Sequence, residues 1–419
     1  MASHHHIVRG LGAAGLCLSA LAASPEPSAW KTSASVAFKE SFDDNIYLQD
    51  VGARARQESW ISTFIPNVKL AFQPTPAFNA TLAYAPEVNL YHSDDDENFT
   101  LHRVTLGGGG TSGRTSWRLD NSLQWIAGSD LGPRYPELGG APAAGGPTVR
   151  NRRDAAIETG KLSLTHTIGC WFLRPVVTAY VHDFQTRQKT TLEDPFYQNF
   201  VDRNDFNGGV DAGLNVAPGL AAVVGYRYGR QDQAELFGNP LRYDNSYHRV
   251  LAGLEGKVNG WLKLNLSLGP EFRTYGDHVA ATFQETDRVY LYVDASATLT
   301  PTTNDTLTLT AKRFEQPGFT GRSTYDDSTY AILWRRKLSA QWTIGLGGQA
   351  YNTEFLLPAV RNDWIYSGNA LLACAVTKQF SAELSYGCDF GENAVAGLNA
   401  PAREYRRQIV ALGLSYTLK

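Results

Sequence analysis

From Trp30 onward apolar and polar residues take turns. In the stretch from Gln408 to Lys419, Val410, Leu412, Leu414, Tyr416 and Leu418 are apolar, while Ala411, Gly413, Ser415 and Thr417 between them are small or polar. Leu262, Leu264, Leu266 and Leu268 alternate in the same way with Lys263, Asn265, Ser267 and Gly269, and Val289, Leu291, Val293, Ala295 and Ala297 with Tyr290, Tyr292, Asp294 and Ser296. Successive side chains of a strand point to opposite faces, so each of these segments predicts a strand with one face for oil and one for water. No helical stripe of useful length is found.

The connections alternate as well. Eight tight links are predicted, at Gln73 to Ala77, Gly109 to Gly113, Ile168 to Cys170, Ala217 to Gly219, Asn259 to Gly260, Pro301 to Asp305, Ser339 to Gln341 and Thr377 to Gln379. Nine longer polar links fall between and around them, among them Ser129 to Arg152, Gln185 to Asn204, Asp232 to Asn245, Glu354 to Asp363 and Gly391 to Ala402. Seventeen links join eighteen strands, with sixteen the alternative count, and both chain ends lie on the side of the tight turns. Short turns on one rim and long loops on the other predict a single all-β, transmembrane antiparallel β-barrel. Closure is what a bilayer demands of a sheet, because an open edge would leave backbone N–H and C=O groups unpaired in hydrocarbon. A soluble sandwich also alternates but has no need of strictly alternating link lengths. The tryptophans, Trp30, Trp60, Trp117, Trp125, Trp171, Trp261, Trp334, Trp342 and Trp364, fall mostly near strand ends on the apolar face, where interfacial girdles sit.

Composition narrows the class further. Charged residues are 19% of the 419, below the roughly 25% of ordinary soluble domains, and hydrophobic residues are 43%. With 38 basic against 41 acidic residues there is no basic excess to neutralise phosphates, so a nucleic-acid partner is not expected. At the N-terminus His4, His5, His6 and Arg9 precede an apolar run from Leu11 to Leu21, followed by the small-residue pattern Ala20-Leu21-Ala22. The run is about half the ~20 residues needed to cross a bilayer as a helix, so residues 1–22 are expected to be a cleaved export signal and 23–419 the barrel. Cys17 would leave with the leader, and the three cysteines that stay, Cys170, Cys374 and Cys388, are an odd number that argues against a disulfide framework.

The segments Glu40-Ser41-Phe42-Asp43-Asp44-Asn45-Ile46, Ile65-Pro66-Asn67-Val68, Leu82-Ala83-Tyr84 and Asn89-Leu90-Tyr91 resemble the opening of the outer-membrane β-barrel porin families of Gram-negative envelopes. The ending from Gly413 through Tyr416 to Leu418 looks like the C-terminal signal read by the barrel-assembly machinery, although Lys419 stands where an aromatic residue is usual. The resemblance implies the bacterial outer membrane, with its lipid and lipopolysaccharide and the assembly machinery as partners. Some such barrels serve exopolysaccharide export and would need periplasmic polysaccharide-export proteins.

Assigning each strand by its apolar side puts fifteen basic residues on the inner face: Lys39, Lys69, Arg103, Arg118, Lys161, Arg174, Arg227, Arg249, Lys257, Lys263, Arg273, Lys312, Arg335, Lys337 and Arg407. Eight acids oppose them: Glu87, Asp120, Asp211, Glu255, Glu271, Asp294, Glu383 and Asp389. In a chain of net charge -3 this is an anion-leaning lumen, since low-dielectric walls focus a field of one sign. The plainer reading is that these charges pair across neighbouring strands and stiffen the wall. If they set the field, replacing Arg227, Lys263 and Arg273 together by Gln erases the preference.

Catalytic signals are weak. Gly108 to Thr115 is close to a phosphate-binding loop, but Arg114 stands at the lysine and no helix follows, so a glycine-rich turn is expected there. In Tyr180-Val181-His182-Asp183 the adjacent His and Asp point to opposite faces, and Asp43-Asp44 is a lone acid pair. The acidic run Asp94 to Glu97 reads as a solvated loop, and no zinc-ligand spacing exists among the histidines and cysteines. No catalytic residue, metal or cofactor is therefore expected. The chain is expected to be a channel for small polar or anionic solutes whose Ser129 to Arg152 loop constricts the entrance. An exopolysaccharide export barrel and a non-conducting structural or surface-display barrel are the alternatives.

Overall fold

The computed structural model describes residues 29–50, 55–128, 154–185, 202–234, 242–276, 287–317, 324–355, 361–394 and 404–418. The predicted leader and the Ser129 to Arg152 loop lie outside the described residues. The first nine strands are β1 (Trp30–Asp43), β2 (Ser59–Thr75), β3 (Phe78–Tyr91), β4 (Phe99–Ser112), β5 (Thr115–Ala127), β6 (Ala155–Ile168), β7 (Trp171–Phe184), β8 (Arg203–Ala217) and β9 (Leu220–Gln233). The second nine are β10 (Asn245–Lys257), β11 (Leu262–Tyr275), β12 (Asp287–Leu299), β13 (Asp305–Pro317), β14 (Thr324–Lys337), β15 (Trp342–Phe355), β16 (Arg361–Ala375), β17 (Phe380–Asn393) and β18 (Tyr405–Leu418). Each pairs antiparallel with its sequence neighbours, and β18 returns to pair with β1 from Ala34↔Leu418 to Asp43↔Ile409, so the eighteen-stranded sheet closes on itself.

The eight links on the rim carrying both chain ends are two to five residues long, and the nine on the other rim run from five to 27. A 14-residue strand at ~3.4 Å per residue, tilted by ~40°, spans roughly 36 Å, more than the ~25 Å apolar band of a membrane barrel. Alternation follows the chemistry read from the sequence. On β10 the side chains of Tyr247, Arg249 and Leu251 are buried towards the inside, while His248, Val250 and Ala252 are exposed outside. The outer face is apolar around the barrel, with Phe38, Leu82, Leu162, Val210, Val224, Leu346, Leu384 and Leu412 all exposed. Trp30, Trp171, Trp261 and Trp342 lie exposed near the short-turn rim, and Trp60 and Trp125 near the other, which makes two girdles.

One predicted turn is displaced. Gly107 to Gly110 lie inside β4, and the turn after it is Gly113-Arg114, with Gly113 at a φ of +58°. The glycines are there for packing. The Trp117 indole lies across Gly108 and Gly110 from the neighbouring strand, and a Cβ on Gly110 would stand 2.5 Å from its Nε1.

Candidate functional site: the lumen and its mouth

Strand parity turns all the inner-face charges predicted above to the inside, but they differ in what they meet. Arg118 donates to Asp120 at 2.6 and 3.1 Å. Arg174 makes a two-pronged contact with Glu255 at 2.7 and 2.8 Å and reaches Asp211 at 2.9 Å, which Arg227 holds from the other side at 2.7 Å. Arg249 donates to Glu271 at 2.5 Å, Arg273 also bonds Glu271, and Arg407 grips Asp43 at 2.6 Å. By contrast Lys39, Lys69, Arg103, Lys161, Lys257, Lys263, Lys312 and Lys337 make no ion pair within 4 Å among the described residues. On the acidic side the same holds for Glu87, Asp294 and Glu383, of which Asp294 faces Lys312 directly in register. Within this predicted set, eight cations against three anions without an ion pair lean the inner face basic. Arg335 is also turned inside, and Gly413 lies opposite Lys39 and Glu383, whereas Tyr416 and Leu418 face out.

Beside the wall from β5 to β12 lies a cavity of about 550 Å³. Arg118, Lys161, Arg174, Arg227 and Arg249 line it together with Asp120, Asp211, Glu255 and Asp294, and Val176, Val223 and Leu251 supply an apolar side. Inside a low-dielectric wall these charges act at short range and are screened far less than at a surface.

Towards the long-link rim the lumen is filled. Pairing of β12 with β13 stops at Val293↔Arg313, whereas β13 and β14 remain paired as far as Pro317↔Thr324. The upper end of this hairpin leaves the wall and bends inward. Gln231 of β9 donates to the Glu315 carbonyl at 3.0 Å, and Arg203 of β8 donates to the Tyr325 hydroxyl at 3.2 Å, contacts that only a hairpin lying across the lumen can make. The backbone N–H of Glu315, deprived of its ladder partner, donates to the Tyr290 hydroxyl at 2.9 Å. The hairpin's acids then meet a basic wall. Asp326 accepts from Arg288 at 2.8 Å and Arg313 at 3.1 Å, and Glu315 lies 3.4 Å from Arg273 and 3.5 Å from Arg288 while Tyr275 donates to it. The Arg273 side chain is 0% exposed, with further bonds to Gln231, to Asn245 at 2.6 Å and to Tyr290 at 3.3 Å. Arg249 is stacked 3.6 Å over the Tyr292 ring. Arg273, predicted to line an open pore, is thus turned inward but sealed under the hairpin, whereas Arg249, held by Glu271, still lines the cavity.

The first long link folds in from the opposite side. Ile46 and Tyr47 pack with Ile61, Tyr91, Phe99, Leu101 and Ile126 on β2 to β5, while Leu48 packs with Tyr351, Ile365 and Tyr405 on β15, β16 and β18. Tyr47 is tied to Asp94, and Asn45 donates to the Arg406 carbonyl at 2.8 Å. Leu48 holds a left-handed backbone with φ of 57°, a conformation that costs about 1 kcal/mol and persists because its side chain is buried. Tyr351 also donates to Asp327 of the hairpin at 3.2 Å, so the two inserts share a wall residue.

Neither insert follows from counting links. Their signals are the apolar triplet Ile46-Tyr47-Leu48 in an otherwise polar link, and the outer positions of the hairpin turning from Leu307, Leu309, Tyr330 and Ile332 to Arg313, Glu315, Asp326 and Ser328. A carboxylate cannot face lipid cheaply, so this end of the hairpin turns inward. His182 faces inside, stacked on Phe184 and bonded through Nδ1 to Tyr180 at 3.2 Å, with Asp183 on the other face. The run after Asp94 is a single 3₁₀ turn, Asp95–Glu97, and no group of three or more metal-ligating side chains gathers among the described residues. Cys170, Cys374 and Cys388 are free.

No protein-family model and no curated protein matches the chain. Among solved structures it is similar to Pseudomonas aeruginosa OccK11 (OpdR), at 10% identity and a TM-score of 0.47 over 93% of this chain and 96% of that one. It is also similar to OccK2 (OpdF) of the same organism, at 12% identity and 0.45 over 93% and 98%, a protein also crystallised in complex with glucuronate. A third is the outer membrane protein OpdK of that organism, at 11% identity and 0.41 over 93% and 99%. At such identities and TM-scores these likenesses say nothing about what passes through this barrel.

Proposed function

We propose that this barrel is an outer-membrane channel admitting small polar solutes, with a preference for anions. The observation that carries the reading is the contrast between its two faces. The outside is an apolar belt between tryptophan girdles, which suits a bilayer and no aqueous surface. The inside holds a charged cavity of about 550 Å³, and among the inner-face charges predicted from sequence eight cations but only three anions have no ion-pair partner among the described residues. Long links then face the exterior and short turns the periplasm, as in bacterial barrels generally. In the same reading the outward Tyr416 and Leu418, with Gly413, form the signal for the assembly machinery, and lipopolysaccharide surrounds the long-link half.

The test is single-channel conductance of the refolded protein in a planar bilayer, with a salt gradient to read the reversal potential. An anion-selective potential is expected, and replacing Lys161, Lys263 and Lys312 together by Gln removes it. These three replace the set chosen from sequence, because Arg227 and Arg273 are held by Asp211 and Glu271 and contribute little net field. An unchanged reversal potential in the triple variant sinks the basic-lumen reading. A second reading, a non-conducting barrel, draws on the filled mouth, where the first link and the β13–β14 hairpin both enter the lumen. A folded, heat-modifiable barrel that never conducts decides for it.

A further inference from the structure

The inward end of the β13–β14 hairpin brings two carboxylates side by side. Glu315 and Asp326 are directly opposite each other in register, and both reach Arg288, which is flanked by Arg273 on the Glu315 side and Arg313 on the Asp326 side. The other groups around Glu315 come from the wall: the Tyr275 hydroxyl donates to its carboxylate, and Gln231 and the Tyr290 hydroxyl hold its backbone. The wall residues belong to β9, β11 and β12, and Arg273 is held there by Gln231, Asn245 and Glu271 independently of the hairpin. The fit of the hairpin is incomplete. Among the described residues Arg273 Nε, Arg288 Nη1, Glu315 Oε2 and Asp326 Oδ1 are buried without a hydrogen bond, although the first three lie in ion pairs of 3.4 to 3.5 Å. Buried charged groups left short of hydrogen bonds keep part of their desolvation cost, so this contact is weaker than its number of charges implies.

We infer that the wall formed by Arg273, Arg288, Tyr275 and Gln231 is a binding site for small dicarboxylates, which Glu315 and Asp326 occupy as a tethered competitor. The inference rests on the channel reading and deepens it by naming the solute class. Two carboxylates a few ångströms apart on one flexible molecule can reproduce both hairpin contacts on Arg288 at once, whereas a monocarboxylate can reproduce only one. A free solute can also adjust its position to complete the hydrogen bonds that the covalently held hairpin leaves unmade. Displaced, the hairpin no longer blocks the space between β9 and β12, so the solute that binds also clears the way for itself. The apparent affinity of such a site is lowered by the fraction of time that the hairpin occupies it.

The experiment uses the refolded full barrel, with sodium succinate as the probe and sodium acetate as the control. In the wild-type protein millimolar succinate is expected to raise channel opening saturably, several-fold more than acetate at equal concentration. In E315Q/D326N the channel is expected to stand open in chloride alone. Succinate acting no better than acetate, or a double variant as closed as the wild type, overturns the inference. If neither protein conducts, the channel reading fails, and calorimetric titration of the detergent-folded barrel still decides the site. There succinate should bind the double variant on the order of tenfold more tightly than the wild type, and equal affinities refute the competitor. Should the double variant not fold, Arg288→Gln, altering a partly exposed residue, is expected to abolish the response to succinate, and an unchanged response overturns the inference.

Discussion

Leu48 is one of the anchors of the first long link. Its side chain is 1% exposed and packs against Tyr351, Ile365 and Tyr405, so Leu48→Ala removes about 3 kcal/mol of transfer and cavity energy. The left-handed backbone remains after the substitution, so its cost of about 1 kcal/mol, hitherto offset by packing, is left standing. If the link undocks as a unit, a loss of 3 kcal/mol raises the undocked population by about two decades. Two assays read this independently. Open probability in a planar bilayer should rise by the same order, up to saturation. Tryptic cleavage after Arg56, an exposed residue near the end of the link, should accelerate in parallel. If Leu48→Ala changes neither, the link is held by something other than this cluster and the packing argument is wrong. Faster cleavage with unchanged conductance would refute only the idea that the link obstructs the pore.

Two further outcomes follow from the faces of the wall. Val250 lies midway along β10 on the outer face, so Val250→Arg should destabilise the barrel by about 2–4 kcal/mol in a folding titration into lipid vesicles, where an exposed site in water would be neutral; no effect contradicts a lipid-facing belt. Cys170 is exposed in the tight turn between β6 and β7, while Cys374 and Cys388 lie within strands on the outer face. A membrane-impermeant maleimide should therefore label Cys170 after the outer membrane is permeabilised and leave it unlabelled in intact cells; labelling of intact cells would invert the orientation.

Period-two alternation and link lengths carried the architecture because closure leaves them little freedom: a one-residue slip turns every Leu of β11 or β18 inward. They put the charges on the inner face but not with their partners, because contacts there join strands distant in sequence. Arg174 pairing with Glu255, 81 residues on, depends on barrel curvature, which no local pattern encodes. Direct cross-strand partners such as Arg249 and Glu271 become readable only once register is fixed. The inward hairpin was legible in principle, since Glu315 and Asp326 sit where lipid-facing residues should be, but a polar outer position near a rim also fits a strand that rises beyond the bilayer. The glycines beside Trp117 misled for a related reason. Glycine marks a turn or makes room for a neighbour, and only the position of Trp117 on the adjacent strand tells these apart.

The clasp between the first and last strands has a consequence for how the molecule is made. Seventeen of the eighteen strand pairings join neighbours in the chain and can form as successive hairpins, each closing a modest loop. The pairing of β1 with β18 closes nearly the whole chain, and at that junction Arg407 bonds Asp43 while the backbone N–H groups of Arg406 and Gln408 donate to Asp50 and Asp44 at 3.1 and 2.6 Å. The acids there belong to β1 and the link after it and are synthesised first. The strand that completes them is synthesised last. Until it pairs, the sheet has two raw edges, and the polar clasp then fixes the register of the final zip at the end of the seam next to the long-link rim.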